Sequence, residues 1–135
     1  MYIYDTALFQ NKTFKYKLDF TSVMENTLFV EFLGDSPKIR VLDMLITGRE
    51  LDYSISDIAE QAGIGRATFY RMIDELLKKK IIMPTRKFGN IQLYKINLKN
   101  EFVKEFVRLY DHIARIASEK EIKRQKEKKL VLVSR

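Results

Sequence analysis

The sequence predicts a mainly α chain with a small antiparallel β element (α+β), and three observations carry this. Within residues 54–98, two helical apolar periods meet at Gly63. Two β-prone runs follow and are joined by Gly89-Asn90. From Asn100 onward a long helical period dominates the rest of the chain.

The first of the two helices is expected over residues 56–62, with Ser56 as N-cap and Asp57 at the positive end of the helix dipole. Ile58, Ala59 and Ala62 share one face. Gly63 supplies the positive φ that ends the helix, and Ile64 plugs the corner. A small Ala59, Gly63 four residues later and Phe69 six beyond that match the spacing of a helix-turn-helix.

The second helix is expected over 66–79, with Phe69, Met72, Ile73, Leu76 and Leu77 on the inner face. Ala67, Tyr70, Arg71, Asp74 and Lys78 point the other way. With Arg66 and Thr68 they make a surface that suits entry into a DNA major groove, N-terminus first. Arg71 is the candidate for base contact, and Arg66 and Thr68, near the dipole's positive end, for phosphate.

Ile81, Ile82 and Met83 continue as a strand that Pro84 confines to an edge. Gly89-Asn90 turns the chain, and Tyr94, Ile96 and Leu98 alternate inward, with Ile91 and Leu93 out of phase. Residues 84–92 form a wing, and Arg86, Lys87 and Asn90 are its candidates for backbone or minor-groove contact. Residues 51–54 are expected to add a short third strand.

The order helix, turn, helix, hairpin is that of a winged helix-turn-helix. Gly34-Asp35-Ser36-Pro37 leading into IRVLDMLI, then DYSISDIAEQAGIGRATFYRMIDELLKKKII and TRKFGNIQLYKINLKN, resemble archaeal winged-helix transcriptional regulators of the broad MarR/ArsR-like type. The resemblance covers residues 28–112. It implies a dimeric protein that binds double-stranded DNA at promoters. The first 27 residues have no counterpart in that pattern.

Around this unit, four segments are expected: an N-terminal hairpin and helix extension (1–34), the winged domain (35–99), a long C-terminal helix for dimerisation (100–129) and a tail (130–135). Tyr2, Tyr4, Thr6 and Leu8, then Phe14, Tyr16, Leu18 and Phe20, alternate as a β-hairpin does. Cross-strand packing explains them, although alternating aromatics and lysines also stack single-stranded bases. Residues 21–33 have helical spacing, with Thr21 or Ser22 as N-cap and Gly34 as stop. Ser36-Pro37 restarts a helix through Leu45 and Ile46 to Gly48.

Asn100 is the expected N-cap of the last helix. Phe102, Phe106, Leu109, Ile113 and Ile116 form one apolar stripe, and Val103, Val107, Tyr110, Ala114 and Ala117 another beside it. Two stripes are wider than one domain needs, so Phe102, Phe106, Leu109, Tyr110, Ile113 and Ile116 are expected to hold a second copy. His112 flanks that seam. SEKEIKRQKEKK extends the helix as a solvated end or serves as a basic arm, and LVLVSR is β-prone.

The basic balance of the chain suits a nucleic-acid partner, and by itself equally a membrane surface or an acidic protein. The 135 residues carry a formal net charge of +7, and residues 36–99 hold twelve basic and seven acidic groups against three and five in 1–35. There is no Cys, hence no disulfide or thiolate metal site, and no long apolar run or signal segment, so a cytoplasmic protein without membrane segments is expected. One His, no phosphate loop and no evident carboxylate pair leave no catalytic constellation; neither enzyme activity, cofactor nor metal is expected.

The function expected is sequence-specific double-stranded DNA binding by a homodimer, in transcription regulation. A winged-helix protein-interaction module, or an architectural or partition DNA-binding protein, is the alternative. A small-molecule effector is neither indicated nor excluded.

Overall fold

A computed structural model describes residues 27–134. The elements in chain order are α1 (Leu28–Leu33), α2 (Pro37–Thr47), α3 (Ile55–Ala62), α4 (Arg66–Lys78), β1 (Ile82–Phe88), β2 (Ile91–Ile96) and α5 (Glu101–Val133). The expected hairpin over 2–20 lies outside the described residues. No described helix is long and apolar enough to cross a membrane.

Four of the five described helices start at a side-chain cap. Thr27 caps α1, its hydroxyl accepting the Val30 N–H at 3.3 Å. Thr27 is itself extended (φ −63°, ψ 158°), so the helix that ends at Gly34 begins after it; the caps expected at Thr21 or Ser22 lie outside the described residues. Ser36 caps α2 through the Ile39 N–H, with Pro37 in the first turn where its missing N–H is harmless. Ser54, rather than Ser56, caps α3. Its hydroxyl accepts the Asp57 N–H (3.1 Å) while the Asp57 carboxylate accepts the Ser54 N–H (3.3 Å), a reciprocal pair that Ser56, already inside the helix, has no means to make. Asn100 caps α5, accepting from the N–H groups of Phe102 and Val103.

Within the unit formed by Thr27–Arg115, α2, α3 and α4 surround one core. Val41, Leu45 and Ile46 of α2, Ile58 of α3, Phe69 and Leu76 of α4, Ile82, Ile96 and Val103 are all essentially inaccessible. Ala59, also buried, allows α3 to approach closely. Truncating Phe69 to Ala would remove about 3–5 kcal/mol. The inner face expected for α4 is the observed one: Phe69, Ile73 and Leu76 are buried, and Met72 and Leu77 are packed beside them.

The hairpin is two-stranded, with Phe88 paired directly to Ile91 across Gly89-Asn90 and Gly89 at φ 58°. The expected third strand over 51–54 reduces to one bridge, in which Tyr53 and Tyr94 exchange backbone hydrogen bonds of 2.7 and 2.8 Å. The chain turns away at once because Ser54 already caps α3. The inward alternation expected for β2 is also altered. Leu93 and Ile96 are buried, whereas Tyr94 and Leu98 are only half-buried. A β-bulge accompanies the change: between the pairs Pro84↔Tyr94 and Lys87↔Gln92, Thr85 and Arg86 together face Leu93.

α5 continues through SEKEIKRQKEKK and on to Val133, so the β-prone tail is helical up to that residue. Extending an existing helix needs no new nucleus, and the few tenths of a kcal/mol by which Val disfavours helix do not stop it.

Candidate nucleic-acid interface

The surface singled out by the sequence is built on α4 and the hairpin that follows it. Arg66, Ala67, Tyr70, Arg71, Asp74 and Lys78 are exposed on α4, and Thr68 is half-buried. Gly65 precedes the helix and offers no side-chain cap, so the first-turn N–H groups lack a side-chain acceptor there. Arg71 donates to the Thr68 hydroxyl at 3.3 Å, which steadies its guanidinium along the exposed face.

The acid that belongs to this helix's flank is neutralised. Glu75 receives Lys79 at 2.7 Å and Lys38 of α2 at 3.1 Å, and the two ammonium groups hold its carboxyl below the usual range. Between Glu75 and Glu101 the chain has no Asp or Glu at all, while Lys78, Lys79, Lys80, Arg86, Lys87, Lys95 and Lys99 fall within it. That stretch is the end of α4 and the whole hairpin, so the positive field is concentrated on two adjoining elements.

The end of α4 is tied down by two amides the sequence reading did not single out for this role. Asn97 donates to the Lys80 carbonyl (2.9 Å), and Asn100 to the carbonyls of Lys79 and Lys80 (3.0 and 3.1 Å). Asn100 therefore caps the start of α5 and the end of α4 together.

Arg86 and Lys87, expected as equivalent wing contacts, differ in the structure. Lys87 is exposed, as is Asn90 in the turn. Arg86 is clamped by Asp52: Nε to Oδ2 at 3.0 Å and Nη2 to Oδ1 at 3.2 Å, with the Thr85 hydroxyl on the same carboxylate at 2.7 Å. Arg86 holds the Asp52 carboxyl below its ordinary value, and is itself raised by the pair. The guanidinium also lies 5.1 Å from the centre of the Phe88 ring. Gln92 covers the bulge, its amide donating to the carbonyls of Arg86 and Leu93. Asp52 and Gln92 are thus wing-positioning residues that periodicity did not reveal. Asp52 is 34 residues from Arg86, and no local signal connects them.

The expected self-association residues on α5 divide into two groups. Phe106, Tyr110 and Ile113 pack on the chain's own core, with Tyr110 5.5 Å from the Phe29 ring and 2.6 Å from the Thr47 hydroxyl. Arg49 pairs bidentately with Asp111, fixing α5 to the turn after α2. Phe102, Leu109 and Ile116, spaced by seven, remain exposed. His112 accepts contact from Arg115 at 3.3 Å. Among the described residues no group of acidic or His side chains is placed to hold a metal ion.

No protein-family model and no curated protein matches the chain. Solved structures do. The adhesin competence repressor AdcR from Streptococcus pyogenes matches with a TM-score of 0.53 at 16% identity, over 90% of this chain and 90% of that one. A mutant of S. aureus MepR matches with a TM-score of 0.51 at 16% identity, over 96% and 95%. At such identities the likeness is one of fold, and the chain has the winged helix-turn-helix fold.

Proposed function

We propose that the chain is a homodimeric, sequence-specific duplex-DNA-binding protein that regulates transcription, of the archaeal MarR/ArsR-like type, acting in the cytoplasm without a catalytic step. The observation that carries this is the pairing of an exposed, uncapped and cation-bearing α4 face with a hairpin that has no acidic residue. In this reading α4 enters the major groove. Arg71, positioned by Thr68, reads a base edge, while Arg66, Thr68 and the first-turn N–H groups meet phosphate. Ala67, Tyr70, Asp74 and Lys78 line the same groove. The wing, with Arg86, Lys87 and Asn90, lies on adjoining backbone or minor groove. That AdcR is named a repressor agrees with this use of the fold.

Residues 35–99 then act as the DNA-binding body and 100–129 as the dimerisation helix. Phe102, Leu109 and Ile116, left open on α5, form the seam, with Phe106, Tyr110 and Ile113 behind it. A two-fold dimer implies a pseudo-palindromic site with half-sites roughly 34 Å apart.

The test is anisotropy titration of labelled duplex DNA at two salt concentrations, with the solution mass measured alongside. A dimer whose affinity falls steeply with salt supports the reading. Absence of binding at low salt overturns it and favours a winged-helix protein-interaction module.

A further inference from the structure

The hairpin tip carries a feature that phosphate contact does not use. Phe88 and Ile91 are 60% and 57% exposed, although they are large and apolar. They are a direct cross-strand pair, so their side chains stand on one face of the ribbon. The turn between them is only Gly89-Asn90, with Gly89 at φ 58°, which keeps the tip narrow.

The charge around the pair selects an occupant. Arg86 lies over the Phe88 ring, Lys87 precedes it, and the carboxylate at the wing root, Asp52, is already taken up by Thr85 and Arg86. Two such tips from two copies would bring like charges together, which disfavours wing-to-wing self-pairing. A ligand with anionic rims and an apolar interior within reach fits both features. The minor groove of a duplex has this character: phosphates on both edges and a base stack at its floor, in a slot too narrow for a helix.

Resting on the DNA-binding reading above, we propose that the wing tip is an apolar wedge: Phe88, backed by Ile91, inserts at a base step from the minor groove and bends the duplex. Phe and Ile are among the side chains that unstack steps in this way, and the bend is directed toward the major groove. Lys87, exposed beside the pair, helps to neutralise the phosphates that the bend crowds together.

The test uses the full chain and a duplex of about 30 base pairs with central TA steps, which deform easily. The duplex carries donor and acceptor dyes at its two ends, and binding is followed by anisotropy on the same sample. Wild-type protein should raise energy transfer at saturation. Phe88→Leu should keep the bend, since Leu also wedges; Phe88→Ser and Ile91→Ser should bind within about tenfold of wild type and leave the duplex straighter. Binding without a bend by wild type, or an unchanged bend with Phe88→Ser, overturns the wedge while leaving DNA binding intact. A fall in solution mass for Phe88→Ser also overturns it, because the pair would then belong to a contact between copies. No binding by wild type removes the underlying reading and the wedge with it.

Discussion

Gly63 and Lys80 hold the same left-handed backbone conformation, φ 70° and 58°, at the ends of consecutive helices. Each closes the same two-bond motif. Ile64 donates to Ala59 (3.0 Å) and Gly63 to Glu60 (3.1 Å) after α3; Ile81 donates to Leu76 (2.9 Å) and Lys80 to Leu77 (3.0 Å) after α4. One site has glycine and the other has a side chain.

Left-handed backbone disfavours a residue with Cβ by roughly 1–2 kcal/mol, and glycine's extra unfolded-state entropy offsets about half of that. Lys80→Gly is expected to raise stability by about 0.5–1 kcal/mol in urea denaturation. Gly63→Ala is expected to lower it by about 0.5–1 kcal/mol, the more so because a Cβ there would sit 3.2 Å from Arg40 Nη1. A loss of stability in Lys80→Gly would mean that the Lys80 side chain contributes more than the backbone relief.

Asp43 gives the fold a pH dependence. Burial pushes its carboxyl up to about 6 from 3.8, against the Thr27 hydroxyl at 3.0 Å and the Arg40 charge, which hold it down. The folded state therefore binds the proton more tightly than the unfolded chain. Its stabilising contribution is complete below about pH 4 and is lost as pH rises through about 6, an effect on the order of 2–3 kcal/mol. Asp43→Asn, which still accepts from Thr27, is expected to be the more stable protein at pH 8, with the gap closing by pH 4. Equal denaturation midpoints at both pH values would refute the assignment.

In the proposed function, the Asp52 carboxylate that holds Arg86 would compete with DNA phosphate for it. In Asp52→Asn the guanidinium is released, and random-sequence duplex DNA should bind more tightly, with a salt slope steeper by about one. Weaker binding would instead make Asp52 essential for aiming the wing.

Arg71 and Lys87 should separate base reading from charge. Arg71→Ala is expected to lose about 1–3 kcal/mol at a selected site and to relax preference there, while Lys87→Ala weakens all sequences alike and flattens the salt slope. Equal loss at selected and random DNA for Arg71→Ala would end its role as a base reader.

The sequence alone determined what rests on short separations. Gly63 as a turn, the Asn100 cap, the inner face of α4 and the Gly89-Asn90 hairpin all follow from side-chain period or from a bond spanning at most four residues, so the neighbours along the chain carry the signal. Even there, Ser54 displaced Ser56 because a reciprocal partner, Asp57, decides between two serines. Tertiary structure decided the rest. Asp52 meets Arg86, Asn100 meets Lys80, and Tyr110 turns inward to Phe29 and Thr47 while Phe102 stays exposed. These pairs are 20 to 81 residues apart. The period of a helix gives the width of its apolar face, but which part of that face a neighbour covers depends on where the fold places the neighbour.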